Sequence, residues 1–209
     1  MSQNTENKKD SVKVRKTWFH GIRAEADLAS IVKSAISKET YSFEGAAQAD
    51  VLHKYFPVVE LGYAGANHFT NNGINFKTNG LFGRAGVDFK ILNQKPDEKP
   101  VPHLLIAGVR LGMSPFNYNV SNIQIADNYW NETQTIDLQN NKTFKIWFEG
   151  SASIRVELYK NIFMGWTVRF KGKFAEDKKG QINPWYIPGY GVNNDSHWDF
   201  GYSIGYNFK

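Results

Sequence analysis

The chemically capable side chains of this chain are scattered along it. The five histidines, His20, His53, His68, His103 and His197, fall at the ends of alternating segments or in the turns between them. No two have the spacing that sets metal ligands on one face of a strand or helix. The sequence therefore predicts no metal site and no cofactor. No Gly-Lys-Ser/Thr phosphate loop and no Gly-x-Ser-x-Gly nucleophile elbow occurs. Gly189, Tyr190, Gly191, Val192 and Asn193 form a glycine-rich turn without the preceding strand and following helix that a dinucleotide fingerprint needs. One stretch, Asn194, Asp195, Ser196 and His197, gathers catalytic residue types. A general base must lie within hydrogen-bond reach of its partner, and adjacency on a loop does not supply that, so the stretch reads as a solvated loop. Asp127, Asn128, Asn131, Glu132 and Asp137 offer oxygen atoms to a surface cation but match no defined calcium loop. No catalytic residue is predicted.

The charged residues carry a different message, because from Trp18 onward they occupy every second position of apolar segments. The last segment is the clearest: Trp198, Phe200, Tyr202, Ile204, Tyr206 and Phe208 alternate with Asp199, Gly201, Ser203, Gly205 and Asn207. A period of two is the signature of a strand with one apolar face. Seven earlier segments share it, near 20 to 30, 41 to 52, 57 to 66, 80 to 92, 103 to 114, 146 to 158 and 162 to 173. None carries a long helical pattern. Connections at 53 to 56, 93 to 102 and 159 to 161 alternate with ones at 31 to 40, 67 to 79, 115 to 145 and 174 to 197, each of which is long or polar. Short turns on one side and long loops on the other are the habit of membrane barrels. Pro96, Pro100 and Pro102 suit a turn because proline cannot donate to a ladder.

Composition fits this reading. A chain of 209 residues suffices for one all-β domain. Its mean hydropathy of -0.48 looks soluble, yet a membrane strand exposes only alternate side chains to lipid. Aromatic residues make up 15% of the chain, a type favoured in strands and at membrane interfaces. The absence of Cys excludes a disulfide framework and thiolate metal sites. A formal net charge of +5 permits anionic partners without selecting one. Residues 1 to 17 read as a mobile periplasmic tail, in which Lys8, Lys9, Lys13, Arg15 and Lys16 form a candidate docking segment for an acidic partner or anionic headgroups. The tail lacks interleaved aromatics and a recognition helix, so nucleic acid is not an expected partner. No signal peptide precedes it, and the chain reads as a mature form with a replacement Met.

The volume of the apolar face decides which way it points. An eight-stranded barrel has an interior just wide enough for side chains to fill or for one small ligand. The apolar faces of the last three segments alone carry Phe148, Ile154, Leu158, Met164, Trp166, Phe170, Trp198, Phe200, Tyr202, Ile204, Tyr206 and Phe208, which do not fit there; turned outward with Trp18, Phe43 and Phe89, their aromatics suit a lipid-facing wall with girdles at its rims. The opposite face then lines the lumen with Arg23, Arg84, Lys90, Arg110, Arg155, Arg169 and Lys171 among Glu25, Asp27, Glu44, Asp50, Glu60, Asp88, Glu149, Glu157 and Asp199. Buried ions persist only when paired, so this mixture predicts a cross-linked, plugged lumen rather than a pore. Two other readings of the alternation are a soluble lipocalin-like ligand carrier, with the apolar face inward, and a soluble β-sandwich.

Residues 18 to 209, with eight alternating segments and the Trp198 to Phe208 ending, resemble the small outer-membrane barrels of the outer-membrane protein A and X type. In detail, Thr17, Trp18, Phe19, His20 and Gly21 and the ending Tyr202 to Phe208 resemble an uncharacterised barrel family of the Bacteroidota. Such barrels commonly end on an aromatic residue read by the assembly machinery, whereas Lys209 follows Phe208 here. The resemblance implies an all-β, eight-stranded up-and-down transmembrane barrel in the outer membrane, in contact with lipid including lipopolysaccharide. It also implies a non-enzymatic structural or accessory subunit of an outer-membrane complex, such as barrel-assembly or surface-protein export machinery, with outer-membrane or periplasmic proteins as partners. Small barrels of the lipid A palmitoyltransferase and deacylase kinds supply the enzymatic alternative, with His197 and Ser196 at the rim.

Overall fold

The structure, a computed structural model, describes residues 18–91, 103–127, 132–174 and 183–208. Strand β1 (Phe19–Asp27) leads into helix α1 (Leu28–Ile36), followed by β2 (Thr40–Val51), β3 (Tyr55–Phe69), β4 (Asn75–Lys90), β5 (His103–Asp127), β6 (Glu132–Tyr159) and β7 (Ile162–Lys173). A two-strand hairpin, β8 (Tyr186–Ile187) and β9 (Gly191–Val192), precedes the last strand, β10 (Ser196–Phe208). Eight antiparallel strands close a barrel in the order β1-β10-β7-β6-β5-β4-β3-β2, so no sheet edge is left open. Closure rests on β1 and β10, whose register runs from Ile22 opposite Phe208 to Asp27 opposite Ser203.

Parity follows the period-two pattern on every barrel strand. Leu61, Leu81, Val109, Trp198 and Phe200 stand outward, each more than half exposed, while Glu60, Arg84, Asp88 and Glu149 on the inner face are at most 3% exposed. This inverts the arrangement of a water-soluble protein, in which a continuous apolar wall of this extent does not face water. It also removes the ligand-carrier reading, since the apolar face lies outside. Aromatics gather towards the two rims. Phe148, Phe170, Phe174 and Trp198 interlock at one end with centroid spacings of 5.2 to 6.3 Å. Tyr55 meets Phe89 edge-on at 5.8 Å, and Tyr206 meets Phe208 at 4.9 Å, at the other.

Several connections differ from the sequence-based expectation. The segment 31 to 40, predicted as a loop, is largely helical, and β1 stops at Asp27 rather than continuing to 30. Asp27 caps α1, its carboxylate accepting from the backbone N–H groups of Ala29 (2.8 Å) and Ser30 (3.3 Å) and from the Ser30 hydroxyl (2.8 Å). The predicted 67 to 79 loop shrinks to residues 70–74. The 115 to 145 loop is, in its described part, a continuation of β5 and β6. At about 3.3 Å per residue, the 25 residues of β5 span roughly 80 Å, where about 9–11 residues cross a bilayer. The hairpin therefore stands far beyond the barrel wall. Its register shifts lie beside Asn122 and Asn140, both with left-handed backbones, whose N–H groups donate to Asp137 Oδ1 (2.8 Å) and Asn119 Oδ1 (2.6 Å). The expected 93 to 102 turn lies outside the described residues apart from its neighbours, as does the basic tail.

Candidate functional site

The lumen is a charge network with Arg84 at its centre. Its guanidinium lies 2.8 Å from Glu44 Oε2, 2.8 Å from Glu60 Oε2 and 2.9 Å from Glu149 Oε1, and donates to the Gly189 carbonyl at 2.7 Å. Arg110 bridges Glu60 (2.9 Å) and Asp88 (3.1 Å), Arg155 reaches Glu25 (2.7 Å), and Arg169 reaches Glu44 (3.3 Å) and Glu60 (3.2 Å). Lys171 pairs with Asp199 at 2.9 Å. Each strand contributes because its charged residues sit at alternate positions, and the small barrel radius brings them across the axis into one another's reach. The space left among Glu25, Glu44, Glu60, Arg110 and Arg169 is about 30 Å³, room for a water or two rather than a channel.

The end of the barrel that carries α1 and the β5–β6 hairpin is also stopped. The segment after β7 folds inward as β8 and β9, and Tyr186, Ile187 and Tyr190 join Ala64, Ala66, Phe82, Phe116 and Trp147 in one apolar cluster. Trp147, on the inner face of β6, meets Tyr190 edge-on at 5.8 Å and donates its indole N–H to Glu149 at 2.7 Å, linking apolar plug to charged layer. A Cβ at Gly112 would fall within the Trp147 indole, so glycine there makes room for the ring. Gly189 turns the hairpin with φ +78, and its carbonyl accepts from both Arg84 and Lys171 (3.0 Å). Trp185 stacks face to face on His68 at 4.1 Å, and His68 Nδ1 lies 2.9 Å from Glu39. Burial among these groups pushes the Tyr186 hydroxyl up to about 12, because its anion has no water to solvate it. Between plug and helix, a half-open pocket of about 380 Å³ is lined by Lys33, Tyr41, Lys171, Tyr190, His197 and Asp199 among others. Lys33 fixes the helix to the wall by donating to Asp199 (3.0 Å) and the Phe200 carbonyl (3.1 Å).

The opposite end, where β1 begins and β10 ends, holds a cluster of another kind. Asp50, expected in the lumen network, is instead at the rim, its Oδ2 2.7 Å from Nδ1 of His53 and its Oδ1 accepting from the His53 backbone N–H at 3.0 Å. The ring of His20 lies over that of His53, with centroids 3.6 Å apart. These residues and Arg23 line a pocket of about 110 Å³, in which Arg23 is held by Asn207 (2.6 Å) and Gln48 (3.2 Å).

Three other sequence-predicted lumen residues need correction or qualification. Glu157 is exposed at the β6–β7 turn, where its carboxylate accepts from the backbone N–H of Asn161 at 3.1 Å; the irregularity between Glu157 and Tyr159 ends the inward alternation. Asp27 reaches the lumen only at its edge, since its oxygens serve the helix cap. Lys90 is half-buried at the last position of β4. The Asn194 to His197 stretch does not assemble as a catalytic group: Asp195 is turned to solvent with Lys173 3.7 Å away, Ser196 is exposed, and His197 packs edge-on against Tyr190 at 4.7 Å. Sequence reasoning missed Gln48, which donates to Asp88 (2.7 Å) and accepts from Arg155 (2.7 Å) in the lumen. It missed Trp147 too, whose even spacing from Glu149 was the available signal. The run Pro184 to Tyr190, apolar inside a polar loop, marked the plug.

A family described as Domain of unknown function (DUF6048) matches residues 1–208. No curated protein matches the sequence. Among solved structures, Neisserial surface protein A is similar at 13% identity, covering 92% of this chain and 98% of that one with a TM-score of 0.46. The N-terminal β-barrel domain of Pseudomonas aeruginosa OprF is similar at 11% identity, 90% and 97% coverage and 0.39. Ail, the attachment invasion locus protein of Yersinia pestis, solved with the heparin analogue sucrose octasulfate, is similar at 9% identity, 90% and 94% coverage and 0.42.

Proposed function

The chain belongs to the DUF6048 family, and from that premise we propose that it is an integral outer-membrane barrel that neither conducts nor catalyses, serving as a structural or accessory subunit of an outer-membrane complex. The observation that carries this reading is the pairing of an apolar outer wall with a lumen closed twice, by ion pairs about Arg84 and by the β8–β9 plug. A wall of this kind belongs in lipid. An interior of this kind transports nothing and leaves the ends of the barrel as its working surfaces. The rim with the chain ends then faces the periplasm, together with the basic tail, and α1 and the long β5–β6 hairpin face outward. Helix α1 leaves Ile31, Val32 and Ile36 exposed, an apolar ridge suited to lipopolysaccharide acyl chains at the wall or to a neighbouring protein.

Two measurements on the detergent-purified protein test the proposal. Reconstituted into planar bilayers, the barrel gives no conductance steps, and taken from native membranes under mild detergent it carries a stoichiometric partner chain. Discrete channel openings, or a lone barrel after gentle extraction, would overturn the corresponding half of the reading. Unaltered lipid A on deletion of the gene is the matching expectation against a lipid-modifying activity.

A further inference from the structure

The geometry points to a divalent transition-metal site of the zinc class at the chain-end rim, formed by His20, Asp50 and His53. The ligand atoms of these three side chains lie within 4.8 Å of one another, from three separate positions in the sequence: β1, the end of β2 and the turn after it. Two imidazoles and a carboxylate are a donor set that zinc accepts, leaving a fourth position for water or a partner's ligand.

Three observations set the cluster apart from an incidental grouping of polar residues. First, Nδ1 of His20 is buried without a hydrogen-bond partner, and buried polar atoms in folded proteins are nearly always satisfied. Second, two of the three donors are already side by side, with Oδ2 of Asp50 2.7 Å from Nδ1 of His53. Third, the turn that presents His53 is strained. Leu52 and His53 both have left-handed backbones, φ 57 and φ 52, where turns of this kind ordinarily use Asn and Gly. The turn is held in place by the Lys54 N–H donating to the Val51 carbonyl (3.2 Å) and the Leu52 N–H donating to the Trp18 carbonyl (3.0 Å). That second bond ties the approach to β1 and the β2–β3 turn together, which is what brings His20 under His53.

Tetrahedral zinc, with bonds of about 2.0–2.2 Å, needs its ligand atoms about 3.3 Å apart. The donor atoms furthest apart, within 4.8 Å of each other, must therefore close by up to about 1.5 Å. Movement of the His20 ring breaks no hydrogen bond at its Nδ1. Arg23 lines the same pocket, with its guanidinium hydrogen-bonded to Asn207 and Gln48. His53 is largely exposed, so an ion enters from solvent without opening the barrel.

The test uses tag-free full-length protein in detergent, titrated with Zn²⁺ and, separately, with Co²⁺ as a spectroscopic stand-in. One equivalent of Co²⁺ is expected to give visible absorption bands of a four-coordinate nitrogen and oxygen site, displaced by Zn²⁺. His20→Ala, Asp50→Asn and His53→Ala, each checked for strand content by circular dichroism, are expected to weaken Zn²⁺ binding at least about tenfold. His68→Asn, at the other rim, is expected to leave it unchanged. Absence of saturable binding in the wild type, binding indifferent to all three substitutions, or an equal loss in His68→Asn would overturn the site. The wild-type Co²⁺ spectrum and stoichiometry decide the matter even if a variant fails to fold.

Discussion

Replacing Arg84 by methionine removes the cation that, among the described residues, touches three lumen carboxylates, while keeping a side chain of similar reach. Glu60 retains Arg110 at 2.9 Å and Arg169 at 3.2 Å, and Glu44 retains Arg169 at 3.3 Å. Glu149 is left with the Trp147 indole N–H alone, at 2.7 Å. The penalty therefore concentrates on Glu149, and the plug also loses the bond from Arg84 to the Gly189 carbonyl. Breaking a buried ion pair by removing one partner costs about 3–5 kcal/mol, and that is the expected loss for R84M. E149Q alone leaves Arg84 with Glu44 and Glu60 and keeps an acceptor for Trp147, so its cost should be about 1.5–3 kcal/mol. In the double variant the stranded carboxylate is gone, and its loss should fall below the sum of the single losses by at least about 1 kcal/mol. The assay is urea unfolding in lipid vesicles followed by tryptophan fluorescence, with midpoints compared at a common slope. An R84M loss below about 1 kcal/mol, or strict additivity of the two substitutions, would refute the view that Arg84 organises the lumen.

Three further outcomes are expected. Val168→Lys, on the outer face near the middle of β7, should cost about 2–4 kcal/mol in the same vesicle assay, and an unchanged midpoint would argue against lipid at that wall. Tyr190→Ala should loosen the plug by about 3–5 kcal/mol locally, seen as faster hydrogen exchange across residues 183 to 195, whereas exchange as slow as in the wild type would remove Tyr190 from the plug's support. Tyr186 has a folded-state pKa raised to about 12 against 10 in the unfolded chain, so its contribution is constant below pH 10 and declines from pH 10 to 12 as only the unfolded chain sheds its proton. That decline amounts to about 2–3 kcal/mol and should be absent in Tyr186→Phe, as measured by stability against pH; identical profiles would refute the burial of the hydroxyl.

Alternation made the barrel legible from sequence because each strand repeats one binary choice, lipid or lumen, at a fixed period. The parity of Glu60, Arg84 and Asp88 on one face and Leu61, Ala85 and Phe89 on the other could be read without knowing any contact. Helix α1 was harder to see. Its apolar positions, Leu28, Ile31, Val32 and Ile36, follow a helical period, but Ala24 and Ala26 just before them follow a strand period, and the Asp27 cap at the junction served equally well as one more lumen charge. The β5–β6 extension was obscured because its alternation, Phe116, Tyr118 and Val120 against Asn117, Asn119 and Ser121, is broken by the register shifts between Tyr118 and Ile123 and lies in a polar, asparagine-rich stretch. The rim cluster was invisible for another reason. His20 and His53 are 33 positions apart, and only the antiparallel pairing of β1 with β2 and a left-handed turn at Leu52 bring them together. The plug lies between these cases, signalled by Trp185, Tyr186 and Ile187 but without a period to say where they dock.

The central claim is that the apolar wall faces lipid around a closed polar interior. Because the chain contains no cysteine, single Cys positions can be spin-labelled one at a time along β7, from Met164 to Phe170, in vesicles. Accessibility to oxygen and to a water-soluble nickel chelate tests the wall most directly. The account predicts high oxygen access at Met164, Trp166, Val168 and Phe170, and protection from both reagents at Gly165, Thr167 and Arg169. Nickel access at the first set equal to that of a soluble surface, or loss of the two-residue alternation, would contradict it.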